Sequence, residues 1–448
     1  MTALALRQTF ALSRRHGFLL LLLCLFMGLS VAYFREKVVD NRSAVLRWQN
    51  QILQMEAGDD PYERYNYPNP PIMAILLTPL AHLPPAAFAL AWFYLKVVMA
   101  LSCFYWVIRM LDSRERPFPR WARNLAVALS LTPIVNDLTH GNVNLFILFT
   151  IVGGLYSFHR NRNVVGGLML ALGAACKVTP VLFVPYFLWK RAWRMLAATL
   201  VGLFVFLWLV PGAVLGWERN HALLASWSKQ MVAPFLVNGV VTSEHNNQSL
   251  PGLATRLLTH SPSFSEYDWS AKTSRPVEWH NMLDLDRPLV SWMVKGCMLA
   301  FALMVLWRCR TPAAERRSWR TTAEFSVVIL GMLLFSERTW KHHCVTFLLP
   351  IAVLCYQLSA ERHSRAMRML LWTVLGAVVL LMASTSMDIL DRFAWLKSMR
   401  MAKMAQVYGA YVWAYVLLLA GMIALLGRRQ GQAAEPTSLP LVFRSGTG

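Results

Sequence analysis

The chain has 448 residues, of which 56% are hydrophobic and 15% charged, and its mean hydropathy is +0.42. This composition excludes an ordinary soluble domain and predicts an all-α, polytopic membrane protein. The net charge of +21 comes mostly from short loops between apolar segments, where basic residues fix topology, so we expect no nucleic-acid partner.

Seven cysteines are scattered along the chain, most of them inside apolar runs. They form no CxxC pair and no metal-like spacing, which excludes a disulfide or zinc framework. We interpret them as packing residues.

The first apolar run follows Arg14, Arg15 and His16, as a signal peptide would. The run is long, no small-residue cleavage site follows it, and many comparable runs come later. We therefore interpret it as an uncleaved first span.

Apolar runs of spanning or near-spanning length recur along the chain and predict about twelve crossings. They fall at 18–34, 86–111, 123–137, 143–158, 164–176, 178–189, 195–213, 288–307, 323–335, 344–359, 369–386 and 407–427. With this alternation every cluster of arginines and lysines, from Arg14 to Arg429, lies on one side, which the positive-inside rule makes cytoplasmic. We expect a multi-pass protein of the plasma or inner membrane, with both termini in the cytoplasm.

The stretch 164–189 admits two interpretations: one helix with Lys177 at mid-membrane, or two short spans that meet near "CKVTP". Only the pair keeps both flanking basic loops inside. We predict the broken pair, with Pro180 as the point of the break.

The opposite face then carries almost every polar cluster that is not a topogenic loop. These segments are 35–85, 138–144, 176–180, 214–287, 336–343 and 387–406. We predict a functional site on this extracytoplasmic face.

The first outer loop, 35–85, offers the candidate general bases. Asp40 follows the first span closely, and Trp48, Ile52, Leu53 and Met55 recur at helical spacing, which indicates an interfacial helix. A carboxylate held at the interface can act as a base, but Asp40 can equally form a cap or an ion pair with Arg42. Asp59 and Asp60 precede Pro61 and resemble solvated turn residues.

Two further clusters lie near predicted helix ends. In "LTHGNVN", His140, Asn142 and Asn144 can bind sugar hydroxyls or a phosphate, or can cap the next helix. Lys177 lies between two apolar halves, where an unpaired lysine is costly, so it faces an aqueous cavity or an anion unless it snorkels to the interface.

The long outer loop holds a run of polar residues from Ser243 to Ser249, including Asn246 and Gln248, followed by Arg256. A generic polar loop explains the run, but "LPGLATRLL" suggests a short helix packed over a polar site. The stretch 259–287 reads as a surface excursion.

"SERTWKHH" places Arg338, Lys341, His342 and His343 at an outer membrane boundary. An aromatic belt explains Trp340 and snorkelling explains Lys341, but neither explains two histidines that enter a span. Cationic donors to a phosphate fit this pattern better than a metal site, because adjacent helical residues diverge by about 100 degrees. With an interfacial carboxylate, the set suits group transfer from a membrane-held phosphate.

Several stretches together resemble glycosyltransferase family 87, membrane enzymes of the GT-C class that use polyprenyl-phosphate sugars. They are "DDPY…YPNPP…LLTPLAHLPP", "HGNVNLFIL", "GGLMLALGAACKVTPVLF", "NNQSLPGLATRLL" and "SERTWKHHCVTFLLP", in this order over about 40–350. The resemblance implies one GT-C-like transmembrane domain over 1–430. We expect residues 431–448 to form a disordered cytoplasmic tail.

The resemblance also implies an inverting transferase with an extracytoplasmic site, no metal or nucleotide sugar, and a polyprenyl-phosphate donor of mannose or another sugar. The acceptor would be an envelope glycan or glycolipid. The base falls on Asp40, and His342 or His343 matches the family's histidine region. Asp40 lies farther from "PY" than the family's usual opening aspartate, so Asp59 and Asp60 are its alternatives.

Two other classes of function compete with the transferase. A transporter or flippase for a lipid-linked or anionic solute would use the same cationic cavity, but it often shows symmetry between halves, and the sequence has no evident repeat. A purely structural scaffold would leave Lys177 and "KHH" unexplained.

Overall fold

The structure, a computed structural model, describes residues 27–39, 43–65, 67–268, 273–361, 363–386, 395 and 399–427. Asp40, the predicted base, lies outside the described residues. Arg42, its alternative ion-pair partner, and the predicted tail 431–448 lie outside them too.

The described chain is almost entirely helical. The α-helices are α1 Ala44–Ala57, α2 Pro61–Tyr65, α3 Pro71–Ala81, α4 Pro85–Leu111, α5 Arg120–His140, α6 Asn144–His159, α7 Asn163–Cys176, α8 Phe183–Trp189, α9 Trp193–Phe204, α10 Val210–Leu215, α11 Trp217–Trp227, α12 Ala233–Leu236, α13 Leu250–Leu258, α14 Arg287–Arg308, α15 Trp319–Leu334, α16 Leu348–Ala360, α17 Arg365–Ala383, α18 Met401–Val407 and α19 Ala410–Leu426. Short π-helical turns are Phe34–Val38, Val205–Leu209 and Ser228–Val232, and 3₁₀ turns are Thr179–Leu182, Ala313–Glu315 and Lys341–Phe347. Each predicted apolar run after the first coincides with one or more of these helices.

Five helical stretches are long and apolar enough to cross a bilayer: Pro85–Leu111, Trp193–Leu215, Arg287–Arg308, Lys341–Ala360 and Arg365–Ala383. The pair α18 and α19, bent by 57°, makes a sixth if it forms one span. The all-α membrane architecture is confirmed, whereas the number of twelve crossings stays a prediction. Shorter apolar helices such as α6 and α7 contribute to the difference, and most of the first predicted run, 18–34, lies outside the described residues.

The predicted break in 164–189 is present. Helix α7 ends at Cys176, Lys177 is extended with φ −156° and ψ 122°, and a 3₁₀ turn begins at Thr179. The break therefore precedes Pro180, which lies in the first turn of the next helix, where its missing N–H costs no hydrogen bond.

Helices α15 and α16 form the centre of the protein. All residues from Thr321 to Leu334 and from Leu348 to Gln357 are buried. Because every side of these two helices is buried over these stretches, the other helices surround this pair. Helix α14, by contrast, buries only Val290 and Val294 and lies at the periphery.

Small residues allow α7 to pack closely against α6 and α9. A Cβ at Gly167 would lie 2.6 Å from Ala198 Cβ and 2.7 Å from the Met195 carbonyl oxygen, and one at Gly154 would lie 2.9 Å from the Gly166 carbonyl oxygen. Close backbone approach at small residues is the usual means of helix association in membranes.

The long loop 214–287, predicted to be the long outer loop, contains helices α11 to α13 and an antiparallel hairpin of β1 Pro262–Asp268 and β2 Thr273–Trp279. The hairpin lies within the stretch interpreted as a surface excursion. Its strands were not predicted from the amino-acid pattern.

Candidate active site

The turn that joins α5 to α6 meets the 3₁₀ turn Lys341–Phe347. The rings of His140 and His342 stack at a centroid distance of 4.4 Å and an angle of 22°, and Asn142 Nδ2 lies 3.2 Å from His342 Nε2. His343 packs edge-on against His342 at 4.9 Å. Two polar clusters from distant parts of the sequence thus form one site.

The hydrogen bond to Asn142 fixes the protonation of His342. Val143 N donates to Asn142 Oδ1 at 2.7 Å, so the Asn142 amide nitrogen faces the imidazole. Because that nitrogen can only donate, His342 Nε2 accepts and the ring is neutral with its hydrogen on Nδ1.

His343 has the opposite tautomer. The backbone N–H of Trp340 donates to His343 Nδ1 at 3.3 Å, which leaves the hydrogen on Nε2. His343 lines a small cavity of about 30 Å³ together with Lys177, Asn144 and Ser336. The cavity thus contains an imidazole donor and an ammonium group.

Lys177 is positioned by a chain of hydrogen bonds from neighbouring helices. Its Nζ donates to Asn144 Oδ1 at 2.6 Å, and Asn144 Nδ2 donates to Asp137 Oδ1 at 2.9 Å. Asp137 also accepts from Leu145 N and forms a fully buried ion pair with Lys96 at 2.9 Å. Burial lowers the pKa of Lys177 to about 8, because desolvation disfavours the ammonium form.

Lys96 and Asp137 were missed by sequence analysis. Both lie in helices predicted as spans, and an ionisable residue within a span is itself a signal of function or pairing. Their ion pair holds Asn144, and through it Lys177, in a fixed position.

The start of α1 lies against the same turn. Gly141 adopts a left-handed conformation with φ +74°, and a Cβ there would lie 2.1 Å from Ser43 Oγ. The indole N–H of Trp92 donates to the Gly141 carbonyl at 3.1 Å, and the Tyr33 hydroxyl lies 2.9 Å from Ser43 Oγ. Ser43 follows Asp40 by three positions.

Asp59 and Asp60 lie at the other end of α1. The helix has 14 residues and is therefore about 21 Å long. Asp60 Oδ1 accepts from Tyr62 N at 2.8 Å, and Asp59 lies 3.6 Å from Arg64, with about half of its side chain exposed. Both carboxylates make the local turn contacts expected of solvated residues.

A larger apolar groove of about 660 Å³ begins at the small cavity. The two share Lys177, Thr179, Met332 and Ser336. From this polar end the groove follows α8, α14 and α15, and apolar side chains form most of its wall: Val181, Leu182, Trp189, Phe301, Val305, Leu306, Val328 and Phe335.

The polar residues of the long outer loop are used mainly to hold the loop. Arg256 is fully buried, and its guanidinium donates to backbone carbonyls of Ser243, Glu244, Asn247, Gln406 and Val407. Burial lowers the pKa of Arg256 to about 9. No described hydrogen bond or ion pair joins its guanidinium to Lys177 or to the histidine cluster.

Gln248 and Asn247 have similar structural roles. Gln248 Nε2 donates to the carbonyls of His245 and Gln406. Asn247 accepts from Thr339 N at 3.0 Å and donates to the Glu337 carbonyl at 2.9 Å, so it joins the loop to "SERTWKHH". The side-chain oxygen of Asn246 is buried and has no hydrogen-bond partner within the described chain.

The remaining predicted cations contact the protein around the site. Arg338 Nη2 donates to Thr242 Oγ1 at 2.6 Å and also reaches Glu337. Lys341 Nζ donates to the Thr385 carbonyl at the end of α17. Lys177 is the predicted cation that lines both the small cavity and the groove.

The amino-acid sequence is similar to those of several mannosyltransferases that depend on polyprenol-phosphate mannose. The chain is 26% identical to a polyprenol-phosphate-mannose-dependent alpha-(1-2)-phosphatidylinositol mannoside mannosyltransferase of Mycobacterium tuberculosis, over 79% of this chain and 75% of the relative. A protein of the same description from Mycolicibacterium smegmatis is 26% identical over 83% of this chain and 79% of its own. A phosphatidylinositol pentamannoside mannosyltransferase of the latter organism is 27% identical over 66% and 63%.

No solved structure matches the chain. The sequence model that describes glycosyltransferase family 87 matches residues 67–336. This region contains the α5–α6 turn, Lys177, most of the groove and the long outer loop, and the histidine pair follows directly after it. The chain therefore belongs to glycosyltransferase family 87 and is a multi-pass membrane glycosyltransferase.

Proposed function

We propose that the protein transfers mannose or a related sugar from a polyprenyl phosphate to a glycolipid acceptor. The observation that carries this proposal is the apolar groove whose polar end is formed by Lys177 and opens into the cavity lined by His343. Such a groove suits an isoprenoid chain with a phosphate at one end. The described relatives use polyprenol-phosphate mannose.

The proposed catalytic groups are Asp40, Lys177, His342 and His343. Asp40 takes the proton of an acceptor hydroxyl, whose oxygen bonds to the anomeric carbon as the bond from that carbon to the phosphate oxygen breaks. The electron pair leaves with the polyprenyl phosphate, and attack opposite the phosphate inverts the configuration. The position of Ser43 against Gly141 supports Asp40, because Asp59 and Asp60 are at the far end of α1.

Lys177 offsets part of the negative charge of the leaving phosphate, and the Nε2–H of His343 donates a hydrogen bond to it. An ammonium and an imidazole donor placed in advance stabilise the charge that develops there. His342 accepts from Asn142 through Nε2 and stacks on His140. From this position it orients the sugar-phosphate end of the donor. Because cationic and N–H donors supply this stabilisation, the proposed reaction uses no metal.

We place the reaction on the extracytoplasmic face of the cell membrane, with both termini in the cytoplasm. The distribution of arginines and lysines supports this orientation. A site on that face uses a sugar donor that is anchored in the membrane by its lipid, and not a soluble nucleotide sugar.

The donor can be tested with the purified full-length chain in lipid nanodiscs. We expect transfer of labelled mannose from polyprenyl-phosphate mannose to a phosphatidylinositol mannoside, undiminished by EDTA, and no transfer from a mannose nucleotide. Transfer from the nucleotide alone would contradict the proposal. Movement of the lipid-linked sugar across a vesicle membrane without a glycosylated product would favour a flippase.

A further inference from the structure

A second cavity adjoins the groove on the side of the long outer loop. Its volume is about 450 Å³, and it shares Phe235, Leu236 and Met298 with the groove. It lies between residues 235–261 of the loop and the first half of α14. Cavities of this size hold small molecules or lipid headgroups.

Helix α14 supplies a cationic wall. Arg287, Ser291 and Lys295 all line the cavity, and their spacing of four residues places them on one face of the helix. The ammonium of Lys295 lies 4.8 Å from the ring centroid of Trp292. Since Trp292 is one turn nearer the helix start, the Lys295 side chain turns toward the Arg287 end.

The two cations of this wall have no acidic partner in the described lining of the cavity. The described residues that line the cavity include no Asp or Glu, and neither Arg287 nor Lys295 has a described ion-pair partner. Lys295 lies two turns into an apolar helix, where an ammonium is costly unless it reaches water or an anion.

The opposite wall presents hydroxyl groups. Ser243, Thr255 and Ser261 of the loop line the cavity with Ser291. Ser243 Oγ donates to the Pro262 carbonyl, which leaves its lone pairs to accept, and Ser261 Oγ forms a hydrogen bond with Thr259 Oγ1. A hydroxyl can donate and accept, so this wall suits a headgroup that carries several hydroxyls. Around the cavity Leu236 is 67% exposed and Trp292 69% exposed, an apolar rim where acyl chains can lie.

The same loop is attached to the active site. Asn247 joins it to the Glu337 carbonyl and to Thr339 N, directly before the histidine pair. The loop segment that lines the second cavity is therefore the same segment that contacts Glu337 and Thr339, next to the histidine pair.

We propose that the second cavity binds the anionic phosphodiester headgroup of the acceptor, a hydroxyl-rich glycophospholipid. Arg287 and Lys295 bind the phosphodiester, and the hydroxyl wall binds the adjoining polyol. This assignment rests on the proposed function, because it identifies the cavity as that enzyme's acceptor anchor.

Binding is tested with the purified full-length chain in neutral detergent, by native mass spectrometry with phosphatidylinositol and phosphatidylcholine as probes. We expect about tenfold tighter binding of phosphatidylinositol, which the double variant Arg287→Gln, Lys295→Gln abolishes. Lys229→Gln is the matched control, because Lys229 is exposed in the same loop and lines neither cavity. No preference in the native chain, or an unchanged preference in the double variant, overturns the site.

Transfer kinetics identify the lipid as the acceptor. The double variant should raise KM about tenfold for a phosphatidylinositol mannoside and leave transfer to a soluble mannoside unchanged. An unchanged KM for the lipid acceptor, despite lost binding, would assign the cavity to an ordinary membrane phospholipid and overturn the proposal. A third outcome is that the native chain binds phosphatidylinositol selectively but transfers mannose to neither acceptor. The proposed function then fails, and the acceptor assignment fails with it, whereas the anion site remains.

Discussion

At the scale of single residues, Lys177 is the proposed ligand of the donor phosphate. It lines both the small cavity and the groove, and the buried Lys96–Asp137 pair holds it through Asn144. Its isolation between two apolar halves made it visible in the sequence. Its partners were not visible, because a single sequence does not show which spans are neighbours.

The pKa of Lys177, lowered to about 8, predicts a pH dependence. In the proposed mechanism the ammonium form binds the phosphate, so kcat/KM should fall by about tenfold per pH unit above pH 8, as the free enzyme loses that proton. Lys177→Arg should move this limb beyond pH 10, since a guanidinium keeps its proton. The assay is initial transfer rate against pH.

Lys177→Gln provides the matched control, with low activity at every pH and no alkaline limb. An identical limb in the glutamine variant would assign the titration to another group.

Gly141 couples the first outer loop to the histidine turn. Gly141→Ala adds strain at φ +74° and brings the new methyl group against Ser43 Oγ, so we expect transfer to fall by at least about tenfold, because small displacements at a reacting centre are costly. Gly58→Ala is the control: it also has a positive φ, +123°, but no atom lies within 4 Å of the added Cβ.

Equal losses of activity in the two variants, measured on correctly folded protein, would contradict this role of the Ser43 contact. They would show that backbone strain alone is responsible.

At the scale of elements, hydropathy predicts most helices but not their grouping. Runs such as 164–176 and 323–335 reappear as α7 and α15 because an apolar segment of this length has few alternatives to a helix in a membrane. The break before Pro180 also follows from the sequence. The β1–β2 hairpin does not, because the polar stretch 259–287 has no clear alternation of apolar residues.

The close packing of α7 can be tested at Gly167. A valine there would meet Ala198 Cβ and the Met195 carbonyl, and overpacking of this kind costs about 1–3 kcal/mol. Gly376→Val in α17 is the control, because no atom lies within 4 Å of a Cβ at that position. Both variants change helix propensity equally, so the difference in thermal unfolding temperature isolates the contact.

Equal unfolding temperatures for the two valine variants would contradict the close approach of α7 and α9.

At the scale of the whole molecule, the sequence predicted which segments form a site but not how each residue is used. The turn at 138–144 and the histidine pair do meet, although Asn142 and His342 are 200 positions apart. Arg256 and Gln248 were candidates for the same reason, their polarity in a predicted outer loop, yet their side chains donate to backbone carbonyls of that loop and of α18. Polarity predicts that a residue needs a partner, not whether that partner is a ligand or the protein.

The central claim is the proposal that Asp40 is the general base of the transfer and that Lys177 and His343 bind the leaving phosphate. The most direct measurement is the rate of mannose transfer from polyprenyl-phosphate mannose by purified Asp40→Asn and Asp59→Asn variants with native-like thermal stability. Loss of the general base predicts a decrease of about 10²- to 10⁴-fold for Asp40→Asn and a nearly native rate for Asp59→Asn. A native rate for Asp40→Asn, or a selective loss in Asp59→Asn, would contradict the claim.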